Sequence, residues 1–143
     1  MMLGRQVTNW LAIGTTALLL QACANPPQLG SSARVFQADM SGGAKNCVAP
    51  KITAAPGQVT PVEVKVGNDG GWCGIIVSDG GKPFSAGLLV TEPAHGMVVV
   101  HTVGDTTRID YTPVPRFAGT DSFSVKLVPG AGTVTASVTV TPS

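Results

Sequence analysis

Charge is scarce in this chain. Only 12% of its 143 residues are Asp, Glu, Lys or Arg, and the formal net charge is +1. The basic residues are scattered along the sequence, so the concentrated positive patch of a nucleic-acid binder is excluded. Aromatic side chains make up 5%, which leaves little from which to build a stacking platform for sugar rings. Cysteines number three and histidines two. No Cys-x-x-Cys pair and no clustered ligand set accompanies them, so a zinc site is not expected and nothing calls for a cofactor. The longest apolar run, Trp10 to Leu20, is about 11 residues, too short to stand as a transmembrane helix. After it, no segment has the length and period of an amphipathic helix.

The sequence is rich in 18 glycines and 11 prolines separating short β-branched stretches, the pattern of strands joined by turns. Val62, Val64 and Val66 alternate with Glu63 and Lys65. Asn68-Asp69-Gly70-Gly71 then turns the chain, and Trp72 to Val77 continues as a strand. Ser78 to Lys82 reads as a Gly-rich turn and Gly87 to Thr91 as a short strand. Met97 to Thr102 is β-branched, Val103 to Thr107 carries a Gly-Asp turn, and Arg108 to Thr112 places Ile109 and Tyr111 on one face, with Asp110 expected on the solvent face. Phe123, Val125 and Leu127 alternate with Ser122, Ser124 and Lys126. In the last segment Val134, Ala136, Val138 and Val140 alternate with Thr and Ser. A two-residue period is that of a strand with one buried face. The expected fold is all-β, a single sandwich of about seven to eight strands over residues 47–143.

Two histidines offer candidate chemistry: His95 and His101, with Asp105 or Asp110, could hold a metal or act as a base. The plainer reading places His95 in a turn and His101 at a strand end. Asp110 and Asp121 could pair as carboxylates for glycoside hydrolysis, or Asp121 could bind backbone amides in its own Gly119 to Ser122 turn. Ser85, Ser122 and Ser124 lack a Gly-x-Ser-x-Gly elbow. Asp69-Gly70-Gly71 and Asp79-Gly80-Gly81 lack the Lys-Ser/Thr of a phosphate loop and read as hairpin turns, with weak calcium binding as the alternative. Trp72, Phe84 and the Thr-rich face of the last strand are the surface candidates, Trp72 and Tyr111 being expected mainly in the core.

Two resemblances add to these readings. Leu20-Gln21-Ala22-Cys23 resembles the lipobox of bacterial lipoproteins. It implies that residues 1–22 are a lipoprotein signal peptide, that Cys23 is lipidated and inserts in membrane lipid, and that Ala24 after it directs the protein to the outer membrane. Ordinary cleavage near Ala22 or Ala24, leaving Cys23 free, is the alternative. Residues 23–46, with Pro26, Pro27, Gly30, Ser31, Ser32, Gly42 and Gly43, read as a flexible linker, although Arg34 to Met40 could form an edge strand or short helix and the arm could fold back on the sandwich. In an exported chain Cys47 and Cys73 are expected to form one disulfide.

Pro93-x-His95-Gly96-x-Val98-x-Val100, then Tyr111-Thr112-Pro113, then Phe117-x-Gly119-Thr120-Asp121-Ser122-Phe123 is similar to the repeat of bacterial Ig-like and cadherin-like domains of surface proteins and large adhesins. The resemblance implies a small β-sandwich with a structural, adhesive or spacer role, and a structural place for these motif residues. Together the two resemblances imply a non-enzymatic, membrane-anchored lipoprotein of the bacterial envelope with an envelope protein or glycan as partner. The rivals are a carbohydrate-binding module, which needs exposed aromatics, and a small envelope enzyme, which needs convergent polar groups in a pocket.

Overall fold

Where apolar and polar residues alternate, the chain is extended and buries every second side chain. In the computed structural model, which describes residues 37–130 and 132–143, a four-residue helix α1 (Gln37–Met40) precedes nine strands. These are β1 (Cys47–Val48), β2 (Lys51–Thr53), β3 (Val59–Asn68), β4 (Cys73–Ser78), β5 (Ala86–Thr91), β6 (Gly96–Val103), β7 (Thr106–Pro113), β8 (Gly119–Val128) and β9 (Thr133–Pro142). The expected signal peptide, Cys23 and the linker up to residue 36 lie outside the described residues. Among the described residues no helix is long and apolar enough to cross a membrane.

The strands form two sheets, one in the order β1-β3-β9-β8-β5 and the other β2-β4-β7-β6. β3 runs parallel to β9 and β2 parallel to β4, while the remaining pairs are antiparallel. Between the sheets lie Val64, Val66, Ile75, Val77, Ile109, Tyr111, Phe123, Val125, Leu127, Val134 and Val138, all essentially inaccessible to water. Each such side chain contributes roughly 1.5–3 kcal/mol by leaving solvent. The all-β sandwich is therefore as the alternation implies; β2 falls where Lys51 to Ala54 reads as a first strand, and the extra strand is β1, whose two residues are too short to carry a pattern.

Cys47 on β1 and Cys73 on β4 are bonded, with their Cα atoms 5.3 Å apart, and so join the two sheets covalently. Closing a loop of 26 residues restricts the unfolded chain by about 3 kcal/mol. Register places Cys47 beside Val66 and Val66 beside Val140. The chain thus enters the sandwich and completes β9 at one end, the end that also carries the Asn68 to Trp72 turn; we call it the proximal end.

Two expectations are corrected here. Phe84, a surface candidate, is 4% exposed and belongs to the core. Strand β7 is covered on both faces: Arg108 and Asp110, on the side away from Ile109 and Tyr111, are each only 6% exposed. Asp110 does face away from Tyr111, but its side of the sheet is not open to solvent. The cover is the end of the segment expected as a flexible linker: residues 41–46 fold back along the start of β4, with Gly43 bridged to Trp72.

Candidate functional site

The motif residues converge on Asp121. It sits near the start of β8, opposite Val138 of β9. Its Oδ1 accepts hydrogen bonds from the Ala94 and Ser122 amides, both at 2.9 Å. Its Oδ2 accepts from the His95 amide at 2.8 Å and the Tyr111 hydroxyl at 2.9 Å. A carboxylate has about four lone-pair sites, and four donors fill them. The arrangement therefore ties the turn that crosses from β5 of one sheet to β6 of the other to β7 and β8, and leaves no oxygen for a substrate proton. Asp121 does bond Ser122 in its own turn, as read from the sequence, but the longer-range bonds outnumber that one.

The neighbouring motif positions follow from the same packing. The His95 ring stacks on Phe117 with centroids 4.2 Å apart, and Tyr111 stacks on Phe123 at 5.9 Å. Gly96, paired with Pro113, must be glycine because a Cβ there would fall 2.2 Å from the Tyr111 ring. Gly119, at φ 141°, faces the Phe117 ring. Pro93 lies in the turn before β6, where a missing N–H costs no ladder bond. The structure thus brings Pro93, His95, Gly96, Tyr111, Pro113, Phe117, Gly119, Asp121 and Phe123 together in one knot at the proximal end.

Burial disfavours the ionised form of Asp121, but the amides of His95, Ala94 and Ser122 and the Tyr111 hydroxyl outweigh it and hold the carboxyl below its ordinary range. Burial, reinforced by bonding to Asp121, pushes the Tyr111 phenol well above its usual value. The signs are opposite in pH. A depressed acid adds stability that is complete above the unfolded value of about 3.9 and is lost as pH falls through the folded one. A raised phenol adds stability that is complete below about pH 10 and is lost as pH rises beyond it. Thermal unfolding between pH 2 and 5 should accordingly show a shallower acid decline in Asp121→Asn than in the parent; superimposable acid slopes would mean that Asp121 is not the linked group.

A second cluster lies on the outer face of the smaller sheet. Arg108 of β7 donates from Nε to Asp110 Oδ1 at 2.7 Å and from Nη2 to Asp110 Oδ2 at 2.9 Å. Nη1 donates to the Asp39 carbonyl. The guanidinium carbon is 3.7 Å above the Trp72 ring, and His101 Nε2 is 2.8 Å from Asp110 Oδ2. Gly74, opposite Asp110, makes room: a Cβ would stand 2.6 Å from Asp110 Oδ1 and 2.9 Å from Arg108 Cδ.

Over this cluster passes the segment of residues 41–46. Trp72 donates from Nε1 to the Ser41 carbonyl at 2.9 Å and from its amide to the Gly42 carbonyl at 3.1 Å. The Ala44 amide donates to the Trp72 carbonyl, and the Gly67 amide to the Asn46 carbonyl, both at 2.8 Å. Asp69 accepts from the Lys45 and Gly71 amides, each at 3.0 Å. Those bonds, Lys45 first, lower the Asp69 pKa. The expected turn of Asn68 to Gly71 thus has its aspartate engaged with backbone amides.

His101 and Asp110 do meet, one of the pairings considered for metal or base chemistry, but Arg108 occupies the same carboxylate and His95 is elsewhere, on Phe117. Among the described residues no group of three His, Cys, Asp or Glu side chains converges as a metal site. Sequence reading missed the Trp72, Arg108 and Asp110 assembly. A signal was present: Arg and Asp two positions apart on a strand share a face and can pair directly.

The remaining feature is a flank. β5 and β6 are the outermost strands of their sheets, and along them Leu88, Val90, Met97 and Val99 are 56%, 61%, 60% and 44% exposed. β6 pairs with β7 in unbroken register over its whole length, and among the described residues no strand pairs with its other edge. By contrast, the outer face of β9 is polar, with Ser137, Thr139 and Thr141 exposed.

A family model described as a bacterial Ig domain matches residues 46–141. A search of curated proteins finds no match.

Proposed function

The chain belongs to the bacterial Ig domain family, and we propose that it is a non-enzymatic, lipid-anchored envelope module that docks an extended segment of another protein along β6. The observation that carries this is the exposed apolar pair Met97 and Val99 on β6, whose second edge has no strand partner among the described residues. Such an edge recognises a partner through main-chain hydrogen bonds, with alternate side chains supplying apolar contact. β6 has no Lys, Pro or register break to obstruct pairing. The charges that flank it, the exposed Glu92 and Asp105, are both acidic. The complementary partner is therefore a strand uncharged in its middle with basic residues toward its ends.

A glycan partner is less well supported, because Phe84 and Tyr111 are core residues and Trp72 is half-buried beneath residues 41–44. Saturation of Asp121 and pairing of Asp110 likewise favour a structural use of both carboxylates over a catalytic one. Anchorage through acylated Cys23, and an outer-membrane location, rest on the Leu20 to Cys23 pattern. Two signals or more than one acyl chain give stable membrane attachment, at about 0.8 kcal/mol per buried methylene.

A photo-crosslinking residue placed at Val99 in intact cells should form a discrete protein adduct that Met97→Lys abolishes, whereas the same residue at Thr139 should not. Equal adducts at both positions, or none at Val99, would overturn the docking surface, and an adduct consisting of a second copy would replace the foreign strand by self-pairing. In the same cells Cys23→Ser should move the chain to the soluble fraction; retention in membranes would remove the anchor but not the docking edge.

A further inference from the structure

We propose that residues 37–46 form a releasable clasp that changes the reach of the domain without unfolding it. Much of what seats this segment is made through its own backbone. Asp39, Ser41, Gly42 and Asn46 contribute carbonyls, and Ala44 and Lys45 contribute amides, to Arg108, Trp72, Gly67 and Asp69. Met40, Ser41, Gly42, Gly43, Lys45 and Asn46 are all exposed, and only Ala44 packs against the core. The segment itself brings little apolar surface to the contact, and what it covers is part of the half-buried Trp72 ring. The hydrogen bonds formed and the backbone freedom lost, two glycines included, are of comparable size, which places the segment at the low-stability end of the molecule.

Release has a built-in stop. Peeling of the chain from its amino-terminal side meets Cys47, which is covalently held to Cys73 in β4, so the sandwich stays closed while the clasp opens. Ten freed residues extend to about 33 Å at roughly 3.3 Å each. If the chain is moored upstream, as proposed above, the docking edge of β6 gains that distance from its mooring. The clasp itself does not depend on the mooring.

Gly71 gives a clean handle. A Cβ at Gly71 would stand 2.3 Å from the Ala44 nitrogen and 2.7 Å from the Gly43 carbonyl carbon, so Gly71→Ala presses directly on the clasp. Asp69→Ala is the second variant, removing the acceptor of the Lys45 amide. Amide hydrogen exchange is measured on the full chain carrying Cys23→Ser, so that the outcome is independent of lipid attachment. In the parent, the Ala44 and Trp72 amides should exchange at least tenfold faster than those of Val125 and Val138. Gly71→Ala and Asp69→Ala should each accelerate them by a further tenfold or more while Val125 and Val138 stay unchanged. The proposal is overturned if Ala44 and Trp72 exchange at the rate of the core amides, or if both variants accelerate core and clasp alike.

Discussion

Replacing Asp110 by alanine is expected to cost about 3–5 kcal/mol of unfolding free energy, the usual consequence of orphaning one member of a buried ion pair. Arg108 is 6% exposed and its Nε and Nη2 both donate to Asp110. With the carboxylate gone, the guanidinium keeps the Trp72 ring and the Asp39 carbonyl but loses its counter-charge. The ring face compensates only in part, since a cation–π contact is worth about 0.5–2 kcal/mol. At about 4–8 °C per kcal/mol for a domain of this size, the melting temperature should fall by at least 12 °C. Arg108→Met combined with Asp110→Val removes both charges, and should lose less than Asp110→Ala alone. If the double variant is the less stable, the pair stabilises the fold outright and desolvation is not the controlling cost. Chemical denaturation of the three proteins decides it.

Tyr111→Ala should be about as damaging, at about 4–5 kcal/mol, because it deletes a wholly buried aromatic and leaves a cavity. The ring stacks on Phe123, covers Gly96, and positions the hydroxyl against Asp121. Tyr111→Phe separates these contributions. It keeps the ring and removes one of four donors to Asp121, so about 1–2 kcal/mol should be lost. A Phe variant as unstable as the Ala variant would mean that the hydroxyl bond, rather than core packing, governs the knot. The same pair bears on dynamics: if the knot rather than the clasp closes the proximal end, Tyr111→Ala should expose the turn of Ala94 and His95 to exchange while residues 41–46 keep theirs.

The knot was legible in part. Pro93, His95, Gly96, Tyr111, Phe117, Gly119, Asp121 and Phe123 could be marked as structural from the resemblance to the Ig-like repeat, but their convergence on one carboxylate joins positions up to 27 residues apart. Asp121 could be assigned to its own turn from local spacing; the Ala94 and His95 amides could not. Phe84 shows the opposite failure. It follows Pro83 with no alternation around it, so nothing local distinguishes a loop aromatic in water from one turned inward.

By itself the order of residues determined which side chains of each strand lie together, since Val62, Val64 and Val66, or Phe123, Val125 and Leu127, share a face whatever surrounds them. It also determined that two such faces must be enclosed against each other, because those apolar rows have no other refuge from water. Only the tertiary structure decided what covers the outer side of β7. Arg108 and Asp110 alternate with Ile109 and Tyr111 just as solvent-facing residues would, and it is the return of residues 37–46 over Trp72 that buries them. That cover is made largely with backbone hydrogen bonds and glycines, which leave no periodic trace in a sequence; the spacing of Arg108 and Asp110 permits a pair, and the arm could be read as folding back, but neither says that the one buries the other.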